Sequence, residues 1–510
     1  MPVASLSATV FSLILALFLV NIIHRYQRWR RLANIPGSPL AGWTSLWLTR
    51  RFVGFRVFED IRALSNKYGP LVRIAPNTIV CTDVDTLYRI SEARTMYKKS
   101  KWYEYMTRIV PGSDNILSVC DPEARKQRLK QVIPGYTYKP STTPDNPSSF
   151  EAGTHRALTS FINLIDSKYL SNAQSSTLMD FSEKCFFYTL DAFGEMAYSE
   201  SFGSLQNDDD VLGIKRTGDG HLVLLLSFHC YPQVMTWLRR WPLVFLLPRV
   251  EENVGFGAVI GHARKLVEER MEPKGKEKQD LLQSFIDHGL KGDELVHEVA
   301  MSFFAASDTV ASSLRITMLL LLTHPSIYFK LQNELDSACI TSDGLLTAAQ
   351  AKSFKYLQYV IKESLRLFPS SATLPFSKEV PEGGDTICGF HVPAGTNIST
   401  GSVVYAIGRD AQTWGDDADI LRPERWDEKD EEKLNKMNRA WNFIFGGGKF
   451  VCVGKGIALM ELGVVVGELI RRYDWSLPNI LEMPKVENNT TWEAHDMFVR
   501  IEKRKVKETH

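Results

Sequence analysis

The sequence predicts a mainly α-helical protein with small β-sheets, preceded by one N-terminal transmembrane helix. Three observations carry this. Apolar residues recur at helical spacing through residues 161–170, 259–270, 293–322, 327–340, 353–367 and 454–473. Strand-like stretches are few and short: 71–74, 78–81, 386–392 and 497–501. Residues 5–23 are nearly all apolar and carry no acid or base, about the length a bilayer-spanning helix needs.

The N-terminal run is followed at once by His24, Arg25, Arg28, Arg30 and Arg31. Positive charge after the run, and none in Met1-Pro2-Val3-Ala4 before it, favours a retained anchor over a cleaved signal peptide. Residues 1–31 thus read as membrane anchor and basic flank. Residues 32–42, with Pro36-Gly37-Ser38-Pro39, read as a stiff hinge. Residues 43–510 read as one large domain. Segment 221–248 is strongly apolar, but Arg239 and Arg240 argue against a second span. A surface helix pair and plain core packing both remain open.

Composition narrows the function. The 510 residues are 44% hydrophobic with net charge +1, which gives no sign of a nucleic-acid partner. The seven cysteines have no C-x-x-C pair, against zinc and against a disulfide framework; a reducing compartment fits.

Cys452 is singled out by its neighbours, Phe445-Gly446-Gly447-Gly448-Lys449-Phe450-Val451-Cys452-Val453-Gly454, and by the apolar helix after it. A phosphate-binding loop needs four residues between its outer glycines, then Gly-Lys-Ser/Thr. Here five separate Gly448 from Gly454, and Gly456 follows Lys455. A dinucleotide fingerprint needs glycine where Val451 stands, and a phosphatase loop needs arginine where Ala458 stands. A thiolate at a helix start, ligating haem iron as a soft donor, passes all three tests. The glycines would let backbone approach a flat cofactor.

Three further elements carry chemistry. Asp308 and Thr309 sit among small residues inside the apolar helix 293–322, suited to relaying protons; structural pairing is the plain alternative. Glu363 and Arg366 share a helix face. Arg425, in Pro423-Glu424-Arg425-Trp426, can complete a buried network with them.

In this order, the acid–threonine helix, the Glu-x-x-Arg helix, the Pro-Glu-Arg-Trp segment and the cysteine loop resemble the cytochrome P-450 family across nearly the whole chain. The resemblance implies that family's fold, with haem between two helices, Cys452 as proximal iron ligand and Phe445 shielding the sulfur. Gly448 and Gly454 would belong to the haem loop. Lys449 and Lys378 stand where arginines commonly bind haem propionates, and lysine lacks their planar fork. Asp308 and Thr309 match the oxygen-activating pair, and Glu363, Arg366 and Arg425 the structural triad. In the segment 121–130 the family's arginine position falls on Leu129, leaving Arg125, Arg128 and Lys130 as alternatives. Ala305, Ala306, Thr373, Leu374 and Trp492 match substrate-contact positions.

The resemblance further implies monooxygenation of an apolar, terpenoid- or polyketide-like molecule with O2. Electrons would come from NADPH through a separate membrane-bound reductase, at the endoplasmic reticulum with the catalytic domain facing the cytosol. The segments are similar to filamentous-fungal enzymes of secondary metabolism, including the pisatin demethylase-like group. Two rivals are a haem-thiolate isomerase or dehydratase needing no reductase, and a non-catalytic haem-binding membrane protein. The Asn-x-Thr tripeptides at Asn488 and Asn489 are expected to stay unmodified on the cytosolic side.

Overall fold

The computed structural model describes residues 2–108, 112–138, 148–172, 175–215, 227, 230–238, 240–246, 255–272, 278–337, 344–479 and 481–504. The architecture is mainly helical. Its central element is the long helix Gly292–Thr323. Asp293 and Glu294 in its first turn complement the helix dipole, and Pro325, which cannot continue it, opens the next helix Pro325–Asp336. Against the long helix packs Phe181–Tyr198, buried on almost every face, which in turn packs on Ser149–Leu164. The helix Lys455–Arg472 lies against the long helix and the strongly one-sided helix Lys355–Leu367.

The largest sheet has five strands in the order Leu71–Ala75, Thr78–Cys81, Asn397–Ser399, Ser377–Glu379, Lys98–Lys99. The expected strand over 386–392 is two strands, Asp385–Ile387 and Phe390–Val392. Cys388 (φ +48°) and Gly389 (φ +82°) make a left-handed two-residue turn between them. The helix expected over 161–170 begins earlier, at Ser149, and ends in a π-helical turn, Ile165–Tyr169. Of the apolar segment 221–248, the described parts are residue 227, residues 230–231, the helix Pro232–Leu238 and residues 240–246; the others lie outside the described residues. Trp237, Trp241 and Phe245 are exposed, so these rings are not core.

The expectation of an N-terminal transmembrane helix is corrected. Residues Pro2–Arg31 do form a helix. Among the described residues, however, the one helix both long and apolar enough to cross a membrane is Gly292–Thr323, in mid-chain. Two-thirds of its apolar window (67%) is buried inside the protein, as in a core helix. Among the described side chains of the N-terminal helix, the apolar ones between Phe11 and Ile23 are exposed.

Candidate active site

The cysteine loop is shaped by two glycines in the left-handed region, Gly446 (φ +79°) and Gly448 (φ +53°). A Cβ on Gly448 would stand 2.0 Å from the Ser91 carbonyl oxygen, and one on Gly446 2.7 Å from that of Phe450. These glycines are therefore required by the turn and by a close approach of protein backbone, not by a cofactor face. Lys449 N donates to Ser91 O (3.0 Å) and Cys452 N to Phe445 O (2.7 Å), closing the loop on itself. Phe445 is edge-on to Trp441 at 5.6 Å. A Cβ on Gly454 would meet nothing within 4 Å.

The helix behind the loop starts at Lys455, so Cys452 precedes its first turn. Burial pushes the Cys452 thiol up, and the backbone N–H groups of Gly454 and Lys455, with the Lys455 charge, pull it down; burial wins. Cys452 nevertheless keeps accessible surface. Both hold if the sulfur faces an interior space. The long helix shows a matching gap: Ala305 is exposed and Ala306, Asp308 and Thr309 are half-buried, between the buried turns at Met301–Phe303 and from Val310 on.

Cations collect beside this loop. Lys378, Arg125 and Lys449 surround the Phe450 ring at 4.9, 5.2 and 5.3 Å from its centre. Lys378 Nζ donates to Ser91 Oγ, Lys449 Nζ to Thr95 O (2.9 Å) and Arg125 Nη2 to Lys449 O (2.9 Å). Lys99, which the sequence reading missed, donates to Ile116 O and Leu117 O from a buried position. Burial, helped by the charge of Arg125 at Lys99 and of Lys449 at Lys378, holds both lysines down at about 7. None of these four cations has an ion-pair partner among the described residues, and the buried Arg125 Nε has no hydrogen-bond partner. Lys99 and Lys378 are buried and Arg125 and Lys449 half-buried; charge withdrawn from water without a counter-charge is costly, so the cluster suits an anion. A haem offers carboxylates for the cations and iron for the thiolate, so the residues present fit it. Of the three alternatives in segment 121–130, Arg125 joins the cluster. Arg128 is committed to Glu294 (2.8 Å) and Glu298 (3.2 Å), and Lys130 is exposed.

The triad residues meet as a closed network. Glu363, Arg366 and Arg425 are all buried. Arg366 grips Glu363 through Nε (2.9 Å) and Nη2 (2.7 Å), while Arg425 Nε (3.2 Å) and Trp426 Nε1 (3.1 Å) donate to the same carboxylate. Backbone carbonyls of Gly408, Ala418 and Trp414 take further guanidinium hydrogens.

The substrate-contact positions scatter. Leu374 is half-buried. Thr373 is buried and donates to Asn488 Oδ1 (2.7 Å). Trp492 sits in a small separate core with Phe58, Ile316 and Ala372, its Nε1 donating to Pro369 O (2.9 Å).

A cytochrome P450 family model matches residues 36–506. The chain is 32% identical over 498 residues to the cytochrome P450 monooxygenase ABA1 of Pyricularia oryzae, covering 93% of each. It is 33% identical over 465 residues to the cytochrome P450 monooxygenase aba1 of Botryotinia fuckeliana, covering 88% of this chain and 87% of that protein. A cytochrome P450 monooxygenase of Aspergillus terreus is 29% identical over 481 residues, with 90% and 93% covered. These relatives support a fungal monooxygenase related to ABA1-like enzymes in place of the narrower pisatin demethylase-like placement. The chain belongs to the cytochrome P450 family and is a monooxygenase, related to the fungal members of secondary metabolism.

Proposed function

We propose that this enzyme inserts one oxygen atom of O2 into an apolar, terpenoid- or polyketide-like small molecule in secondary metabolism, with electrons from NADPH delivered by a separate membrane-bound reductase. The observation that carries the reading is the group of cations beside the Cys452 loop, Lys378 and Lys99 buried and Arg125 and Lys449 half-buried, with no acid paired to them among the described residues. Bound haem supplies the redox chemistry that activates O2. Cys452 would be its iron ligand, and Lys378, Lys449, Arg125 and Lys99 would face its propionates. Phe445, Gly448 and Gly454 shape the loop around the sulfur. Glu363, Arg366 and Arg425 brace the structure behind it.

The chain's own part in the reaction is to bind, orient and move protons. Ala305 and Ala306 leave room for an apolar ligand along the long helix. Thr309 Oγ1 donates to Ala305 O (2.8 Å) within its own helix and must turn away from that bond to serve a ligand. Asp308 holds the carboxyl that exchanges protons with it. Thr373, Leu374 and Trp492 act from behind the ligand, through the packing described above.

Residues 43–510 form the catalytic part, and 32–42 its hinge. Buried Arg73 holds that hinge through its backbone N to Pro36 O (2.7 Å) and its guanidinium to Gly42 O (3.3 Å), and the end of the preceding helix through Trp29 O (2.9 Å) and Arg28 O (3.1 Å). The exposed apolar side chains from Phe11 to Ile23, with Trp237, Trp241 and Phe245, are the surface by which the enzyme associates with the endoplasmic reticulum bilayer, its catalytic part in the cytosol.

The test is turnover of a metabolite panel by the enzyme reconstituted with reductase and NADPH, with Cys452→Ala and Thr309→Ala beside it. Cys452→Ala should lose the thiolate-type carbon-monoxide difference spectrum and all product. A normal spectrum in that variant would sink the ligand assignment. Product formed without NADPH would favour an isomerase or dehydratase.

A further inference from the structure

Three consecutive residues of a β-hairpin are tied to one face of the long helix. Thr491 Oγ1 donates to Asp308 Oδ2 (2.7 Å), Trp492 N donates to Ser312 Oγ (2.9 Å), and Arg315 Nη1 pairs with Glu493 Oε1 (2.8 Å). Positions 308, 312 and 315 are spaced by four and three, so they share a helix face. The hairpin pairs Lys485–Asn488 with Trp492–His495, and the buried Thr491 lies in the turn between them. Asn489 N donates to Thr491 O (3.2 Å) across that turn. Thr373 on Asn488 and Trp492 on Pro369 hold the hairpin from its other side. The Thr309 hydroxyl, by contrast, is held by its own helix at Ala305. The acid and the alcohol thus take their orientations from different elements.

We propose that Thr491 is a positioning residue for Asp308: its hydroxyl fixes the carboxyl beside Thr309, so that proton delivery in this enzyme depends on the hairpin as well as on the long helix. This rests on the reading of Asp308 as a proton carrier. A valine at 491 keeps the volume and removes the donor. The Asp308 carboxyl then becomes free to rotate near Glu493, on which Asp308, Arg315 and Lys215 all act.

The experiment compares Thr491→Val, Thr491→Ser, Asp308→Asn and the double variant Thr491→Val/Asp308→Asn in the holoenzyme with reductase and NADPH. It reads hydrogen peroxide released per NADPH oxidised: one O2 that takes two electrons and two protons and leaves without oxidising substrate. Crystal structures of the two Thr491 variants read the Asp308 rotamer. Thr491→Val should raise the peroxide share about five-fold, the factor one lost hydrogen bond of ordinary strength is worth, and turn the Asp308 side chain. Thr491→Ser should match the parent on both readouts, and Thr491→Val should add nothing once Asp308 is Asn. Should valine fail to fold, Thr491→Ala takes its place. An unmoved Asp308 rotamer with an unchanged peroxide share, or an equal increase on the Asp308→Asn background, overturns the proposal. If Asp308→Asn leaves the peroxide share unchanged while Asp308 turns in Thr491→Val, the proton-carrier reading fails and the positioning stands.

Discussion

Two groups of charges beside the Cys452 loop, one buried and one partly buried, differ in one respect. Around Glu363 each guanidinium is answered by the carboxylate, by Asp417 or by backbone carbonyls. Around Phe450 three cations, with Lys99 nearby, face one another with no acid paired to them among the described residues. The first group is complete in the polypeptide alone, so it serves structure. The second has a hydroxyl and backbone carbonyls as acceptors but no opposite charge, which a bound anion would supply. The difference separates a bracing network from a binding site without reference to sequence motifs.

The largest expected effect breaks the first group. Glu363→Ala leaves two buried guanidiniums without their carboxylate and should cost ~3–5 kcal/mol, measured by denaturant unfolding of the haem-free protein. A small loss would mean that the backbone carbonyls suffice. Lys378→Met should act in the opposite sense on the second group. The haem-free protein should gain ~1–3 kcal/mol as a buried unpaired cation disappears, while haem transfers faster to an acceptor protein. Stability and haem retention falling together would show that Lys378 is structural.

A pH series sharpens the contrast. Lys99 and Lys378 are held near 7 in the fold but titrate near ~10.4 when unfolded. Between those values the folded state binds fewer protons, so haem-free stability should rise as pH increases from about 7 to 10. Haem affinity should fall over the same range, because neutral lysines no longer attract carboxylates. Glu461 works against the stability trend. Burial pushes its carboxyl up to about 8, with Tyr188 alongside opposing the shift, so its contribution is full at acid pH and lost as pH rises through that value. Running the series in Glu461→Gln removes that part, and a flat curve there would contradict the lysine assignment. The smallest effect is a control. Lys126→Met, one residue from Arg125 but exposed and weakly paired with Glu123, should change stability by less than ~0.5 kcal/mol and leave haem retention alone.

How much could be read in advance differs by element. The long helix was legible because its periodicity extends over many turns. The strand at 386–392 was misread because alternation does not reveal a turn at Cys388, which adopts a left-handed conformation that few non-glycine residues take. The N-terminal run reads as a span by its apolar length, yet among the described residues the helix long and apolar enough to cross a membrane lies in mid-chain and is mostly buried; hydropathy does not record what covers a helix. Lys99 gave no signal at all, since a lysine in a short strand is ordinary until its neighbours are known. Thr491 was visible only inside an Asn-x-Thr tripeptide, and its partner is 183 residues away in the chain.

By itself the sequence determined the helical architecture, the cysteine loop with its apolar helix, the acid–alcohol pair and the Glu-x-x-Arg spacing, because each depends on residues within a few turns of one another. Only the tertiary structure decided that Arg125 joins Lys378 and Lys449, that Trp492 packs in a side core, and which partner each buried charge has. Pairing and burial belong to residues brought together across hundreds of positions, and whether a buried charge is satisfied or waiting depends on those neighbours.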